Sequence, residues 1–104
     1  METLHFKFNR GKASKAVEAI VVGVVSSGNL EIMVEPKPLK GACHIDVTTS
    51  ATGFEKIWEA VLRDFFERHR PANLHISIND VGATPAVVSL RLDQAMQELA
   101  GGEP

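Results

Sequence analysis

Polar and apolar residues alternate across residues 3–8, with Leu4, Phe6 and Phe8 on one side and His5 and Lys7 on the other. That period of two predicts a half-buried strand. Asn9-Arg10-Gly11-Lys12 then turns the chain. Residues 17–25 are β-branched on both faces, which predicts a central strand covered more completely than its neighbours. It stops at Ser26-Ser27-Gly28-Asn29. Leu30, Ile32 and Val34 alternate with Glu31, Met33 and Glu35 in a third strand, which Pro36 and Pro38 end by removing backbone donors. The second and third strands are expected to form a hairpin. In a fourth strand, residues 42–49, Cys43, Ile45 and Val47 should face inward and His44, Asp46 and Thr48 outward.

The period then changes. Thr52-Gly53-Phe54-Glu55 has the T-x-x-E spacing of a capping box. Phe54, Ile57, Trp58, Val61, Leu62 and Phe65 follow as one apolar stripe on a helix of about four turns. Pro71 blocks continuation, and Leu74, Ile76 and Ile78 alternate with His75, Ser77 and Asn79 as a fifth strand, with Gly82 as the turn residue after it. Thr84-Pro85 places a capping hydroxyl before a proline suited to the first helical position. Val88, Leu92, Ala95, Met96 and Leu99 form the stripe of a second helix, and residues 101–104 should fray. The order β-β-β-β-α-β-α predicts an α+β fold, a mostly antiparallel five-stranded sheet with two helices packed on one face. Charge is expected on the other face.

Composition narrows the function. With 104 residues and 44% hydrophobic content, the chain fits one domain, residues 1–104. A net charge of −2 offers no broad basic surface, so nucleic acid is not an expected partner. The start of the chain has no basic stretch followed by an apolar one, unlike a secretory signal. The longest apolar run, residues 19–25, is about a third of a membrane span. No membrane partner is expected, and a cytoplasmic, reducing location suits the single Cys43.

Candidate chemistry centres on Ser26-Ser27-Gly28-Asn29, since a tight turn between apolar strands lifts hydroxyls into solvent where they can be modified. These are also ordinary turn residues, so composition alone leaves the point open. The stretch Gly23-Val24-Val25-Ser26-Ser27-Gly28-Asn29-Leu30-Glu31 resembles the segment of malonate decarboxylase acyl-carrier subunits that reads glycine, serine, glycine, aspartate, leucine, glutamate after a valine run. Thr48-Thr49-Ser50, Gly53-Phe54, Trp58-Glu59-Ala60-Val61-Leu62 and Phe65-Phe66 resemble that family's first helix and its approach. Asn79-Asp80-Val81-Gly82-Ala83-Thr84-Pro85, with Val87-Val88 and Leu90-Arg91-Leu92, resembles its last loop and helix.

The resemblance implies an acyl-carrier domain whose serine holds 2′-(5″-phosphoribosyl)-3′-dephospho-CoA through a phosphodiester, a phosphopantetheine-like prosthetic group. By its place before Gly28 that serine is Ser27, with Ser26 the less favoured choice. Ser26 stands where the family usually has glycine, and Asn29 where it usually has aspartate. The implied partners are an acetyl-S-carrier:malonate transferase subunit, decarboxylase subunits, a malonyl transferase and the phosphoribosyl-dephospho-CoA transferase that attaches the group. No catalytic residue of its own is expected.

Other readings weigh less. His5, His44 and His75 share the outward side of the sheet, but among Glu31, Glu35, Asp46 and Lys7 they suit cross-strand pairs, and no metal site is expected. Cys43 and His44, adjacent on a strand, point to opposite faces and cannot act as a dyad. The serine turn lacks the G-x-S-x-G spacing of a hydrolase. The loop from Asn79 to Pro85 could touch a partner or the arm, though a turn and a cap explain it. A protein-interaction module without a covalent group and a citrate lyase-type carrier are the alternatives.

Overall fold

The structure is a computed structural model and describes residues 1–12, 20–23 and 29–99. Strands β1 (Glu2–Phe8), β2 (Ile20–Gly23), β3 (Leu30–Pro36) and β4 (Cys43–Thr49) precede helix α1 (Glu55–His69), then come β5 (Leu74–Asp80) and helix α2 (Pro85–Leu99). The order in the sheet is β1-β4-β5-β3-β2. Four seven-residue strands form its body, and the four-residue β2 adds at the β3 edge.

The α+β class stands, but the sheet is mixed. β1 with β4, β5 with β3, and β3 with β2 pair antiparallel, whereas the central β4 and β5 run parallel. The physical reason lies in the connection. Parallel neighbours need a crossover of a dozen or more residues, and α1 joins β4 to β5 as such a crossover. A second correction concerns the apolar strand expected at the centre. Its described part, β2, is an edge strand, paired to β3 as the hairpin reading expects. Apolar content on both faces does not distinguish a central strand from an edge strand that a helix covers, and α2 packs over β2 as well as β3.

Both helices cover the same face. Leu4 and Phe8 of β1, Ile32 and Val34 of β3, Ile45 and Val47 of β4, and Ile76 and Ile78 of β5 share one core with Leu62, Phe65, Val88 and Leu92. Phe8 stacks on Phe66 with ring centroids 5.1 Å apart and ties β1 to α1. Helix α2 opens as expected: the Thr84 hydroxyl accepts the Val87 N–H at 3.3 Å, and Pro85 is the first helical residue. Met96 is partly buried beside Val88, Leu92 and Ala95.

Helix α1 opens differently. No side chain caps it, and Phe54 rather than Thr52 precedes the first turn. A capping box would require Gly53 to be helical, yet Gly53 has φ of +85° and donates its N–H to Glu2 Oε1 at 3.3 Å. Glu55 then becomes the first helical residue, where its charge complements the positive end of the helix. The predicted stripe is accordingly shorter. Trp58, Leu62, Phe65 and Phe66 are buried, while Phe54 and Ile57 are 47% and 46% exposed. The helix stops at Arg70, in left-handed conformation, before Pro71.

Candidate functional site

Strands β4 and β5 end together, and both helices start from that end. Continuing the inward parity of β4 beyond Val47 reaches Thr49, and continuing that of β5 beyond Ile78 reaches Asp80. The two face each other in register. Both are almost fully buried. The Thr49 hydroxyl donates to Asp80 Oδ2 at 2.8 Å, and the Ala83 N–H donates to Asp80 Oδ1 at 2.8 Å. The Ala51 N–H in turn donates to Thr49 Oγ1 at 3.2 Å. One carboxylate therefore holds the exit of β4, the exit of β5 and the approach to α2 together. No motif marks this pair, but the alternation of both strands reaches it.

The same end carries the approach to the serine segment. Ser26 and Ser27 lie outside the described residues. Their described neighbours in the chain are Gly23, paired with Glu31, and Asn29, which is exposed. The Asn29 carbonyl accepts the Val81 N–H at 2.8 Å. The loop from Asn79 to Pro85 thus fastens the start of β3 to the exit of β5, turning at Gly82 with φ of +100°. An alanine there would be strained by its backbone alone.

Beside this loop a cleft of about 250 Å³ opens between the first turns of α1 and α2. Phe54, Ile57, Trp58 and Val61 wall one side, Pro85 and Val88 the other, and Thr49 and Asp80 lie among its lining residues. It is predominantly apolar. Exposed Phe54 and Ile57, expected in the core, belong instead to this opening.

The outer sheet face holds three of the four histidines, the fourth, His69, being on α1. Asp46 accepts from His5 Nδ1 at 2.6 Å and from His75 Nε2 at 2.8 Å, while His75 Nδ1 pairs with Glu35 Oε1 at 3.1 Å. Contacts from both ring nitrogens of His75 to carboxylates are satisfied best by the doubly protonated ring. Burial pulls the His75 pKa down, but the bonds to Asp46 and Glu35 and the charge of Asp46 outweigh it and raise the value. Burial likewise opposes ionisation of Asp46, and the bonds from His5 and His75 overcome it, lowering its pKa. His44 lies on the same face. Among the described residues no group of three or more His, Cys, Asp or Glu side chains could hold a metal ion. Cys43 points the other way, fully buried, and desolvation pushes its thiol up to about 12. No helix among the described residues is long and apolar enough to cross a membrane.

An apolar cleft at one sheet end, a loop fastened beside it and a thiol sealed in the core describe a small α+β domain, a class of fold that hosts many functions. Comparison with known proteins narrows the class. Residues 17–99 match the family described as malonate decarboxylase delta subunit (MdcD). The chain is 56% identical over 104 residues to the malonate decarboxylase acyl carrier protein of Xanthomonas axonopodis pv. citri (strain 306), covering 99% of each. It is 54% identical over 100 residues to that of Burkholderia cepacia, covering 96% of this chain and 92% of the relative. It also superimposes on a chain of the crystal structure of a Pseudomonas malonate decarboxylase hetero-tetramer in complex with malonate. There the TM-score is 0.82 and the identity 40%, covering 95% of this chain and 99% of that one. The chain belongs to the malonate decarboxylase delta-subunit family.

Proposed function

We infer that the chain is the acyl-carrier subunit of a malonate decarboxylase, a single cytoplasmic domain of residues 1–104 that bears its prosthetic group on Ser27. The observation that carries the reading is 56% identity to a malonate decarboxylase acyl carrier protein across 99% of both chains. The similarity to a chain of a malonate decarboxylase hetero-tetramer supports other decarboxylase subunits as partners, and a transferase subunit is proposed among them. The group proposed is 2′-(5″-phosphoribosyl)-3′-dephospho-CoA, joined through a phosphodiester. When bound, it supplies a terminal thiol that carries acetyl and malonyl groups as thioesters.

The chain's own part is display. Asn29 is exposed at the sheet end, bonded through its carbonyl to Val81, so the chain entering β3 is anchored while its side chain faces water. That setting fits a neighbouring serine reached by a modifying transferase. Cys43 cannot serve as the acyl-bearing thiol, because it is buried and protonated at any physiological pH. A tethered group makes each transfer between subunits effectively intramolecular, at concentrations on the order of millimolar. Isolated, the chain should turn over no malonate.

Co-expression with an active phosphoribosyl-dephospho-CoA transferase tests the reading. Intact mass should rise by one cofactor in the wild type and in Ser26→Ala, and not in Ser27→Ala, with unfolding free energies within about 0.5 kcal/mol of wild type. Labelling of Ser27→Ala but not Ser26→Ala moves the site by one residue. No labelling of the wild type refutes the carrier reading and leaves an interaction module.

A further inference from the structure

The cleft between the starts of α1 and α2 lies against the loop that is bonded to Asn29, and its lining is mostly apolar. Phe54 and Ile57 stand nearly half exposed at its lip. Large apolar side chains grouped in the open mark a surface that is covered in use. The cleft lies beyond the carboxyl ends of the parallel pair β4 and β5, from which both helices depart. Crevices at the carboxyl ends of parallel strands are where open sheets receive ligands.

Size limits the occupant. A cavity of roughly 150 Å³ holds benzene, and pockets for whole drug-sized ligands run from roughly 300 to 1,000 Å³. At about 250 Å³ the cleft suits a small apolar group with a short stretch of linker. A docked helix, roughly 10 Å across with its side chains, is too large. Position then selects the occupant. Ser27 is two residues from Asn29, so their Cα atoms lie within roughly 7 Å of one another. The Asn29 carbonyl is bonded to Val81, whose neighbours Asp80 and Gly82 both line the cleft.

We propose that the cleft shelters the acetylated end of the carrier's own arm and leaves the malonylated end in solvent. This rests on the carrier reading, with attachment at Ser27 or its neighbour. An acetyl thioester is uncharged, and its methyl group gains by leaving water. A malonyl group carries a carboxylate, which costs heavily to bury without a partner. The Thr49 hydroxyl and the Ala83 N–H, both from residues that line the cleft, are already committed to Asp80, whose negative charge repels another. The cleft thereby sorts the two loads: acetyl rests covered and malonyl remains available to a decarboxylase. With an effective concentration on the order of 1 mM, even an intrinsic affinity of ~0.1 mM keeps the acetyl end covered about ten times as often as free.

Trp58 is the only tryptophan of the chain and lines the cleft, so its emission reports occupancy. Carrier bearing the free thiol, acetyl or malonyl forms, each verified by intact mass, would be compared in emission and in thioester cleavage by hydroxylamine. Acetyl alone should shift Trp58 emission, and should be released about tenfold more slowly than from acetyl-CoA. Malonyl should be released as from malonyl-CoA. Ile57→Asp, at an exposed position in the first helical turn where an acid is tolerated, should abolish both effects with an unchanged unfolding midpoint. Identical emission in all three forms with full lability of the acetyl group overturns the proposal. So does an emission change produced only by an added decarboxylase or transferase subunit, which would make the cleft a subunit contact. Absence of any cofactor mass after exposure to an active transferase refutes the carrier reading itself, and the cleft proposal falls with it before fluorescence is read.

Discussion

Replacing Asp80 with alanine removes the acceptor that closes the carboxyl end of the sheet. Two donors lose their partner: the Thr49 hydroxyl and the Ala83 N–H, both at 2.8 Å. A hydrogen bond to a charged group contributes roughly 1.5 to 3 kcal/mol. Part of that returns because a carboxylate no longer has to be desolvated, which leaves a net loss of about 2 to 4 kcal/mol. Neither donor can turn easily to water, since Thr49 is 1% exposed and Ala83 partly packed against the core. For a chain of this size a loss of about 3 kcal/mol lowers Tm by roughly 12 to 24 °C. Asp80→Asn keeps an oxygen for Ala83 and should cost about 1 kcal/mol. Urea denaturation of wild type, Asp80→Ala, Thr49→Val and the double variant gives the coupling directly, expected at about 1 to 2 kcal/mol. An Asp80→Ala unfolding free energy within about 0.5 kcal/mol of wild type, or zero coupling to Thr49, would show that the pair does not close the sheet.

Trp58→Ala should cost about 3 to 5 kcal/mol, because the ring is 7% exposed in the shared core; an unchanged midpoint would place the ring outside that core. His75 has a raised pKa when folded, so its contribution to stability is complete below the ordinary histidine value near 6.5 and is lost as pH rises through the folded value. Asp46, lowered when folded, contributes above the ordinary carboxylate range and loses that contribution as pH falls through its folded value. The pair is therefore strongest between those limits. His75→Gln should flatten the decline of stability above neutral pH, and a slope equal to wild type would remove His75 as its source. Cys43 should resist a thiol reagent in native buffer and react at once in denaturant; rapid native labelling would contradict the packing of β4.

Side-chain parity was the most legible property of this sequence, because a strand with one covered face cannot slip by one residue without exposing its core set. Ile45, Val47, Ile76 and Ile78 are buried, and Thr84 caps α2 as its spacing implies. Strand direction was less legible. The succession of β4, α1 and β5 is the unit that makes parallel neighbours, but only adjacency in space turns it into a parallel pair, and adjacency is not written in periodicity. The α1 start failed for a local reason, since the left-handed Gly53 interrupts the box that Thr52 and Glu55 spell. At the candidate site, Thr49 and Asp80 were readable by extending two alternations one step further. The cleft was not, because helical spacing treats Phe54 and Ile57 like Trp58 and cannot tell where the partner surface ends.

β5 pairs with β4 on one side and β3 on the other, yet it is the last of the described strands along the chain. Without β5, the β1–β4 and β2–β3 pairs would each present an unsatisfied edge to a gap one strand wide. Such edges invite pairing with other chains. Residues 74–80 are therefore what makes two half-sheets into one. Apolar Leu74, Ile76 and Ile78 supply the inner face that joins them. A chain without residues 74–80 would hold most of the residues of this fold and none of its closure.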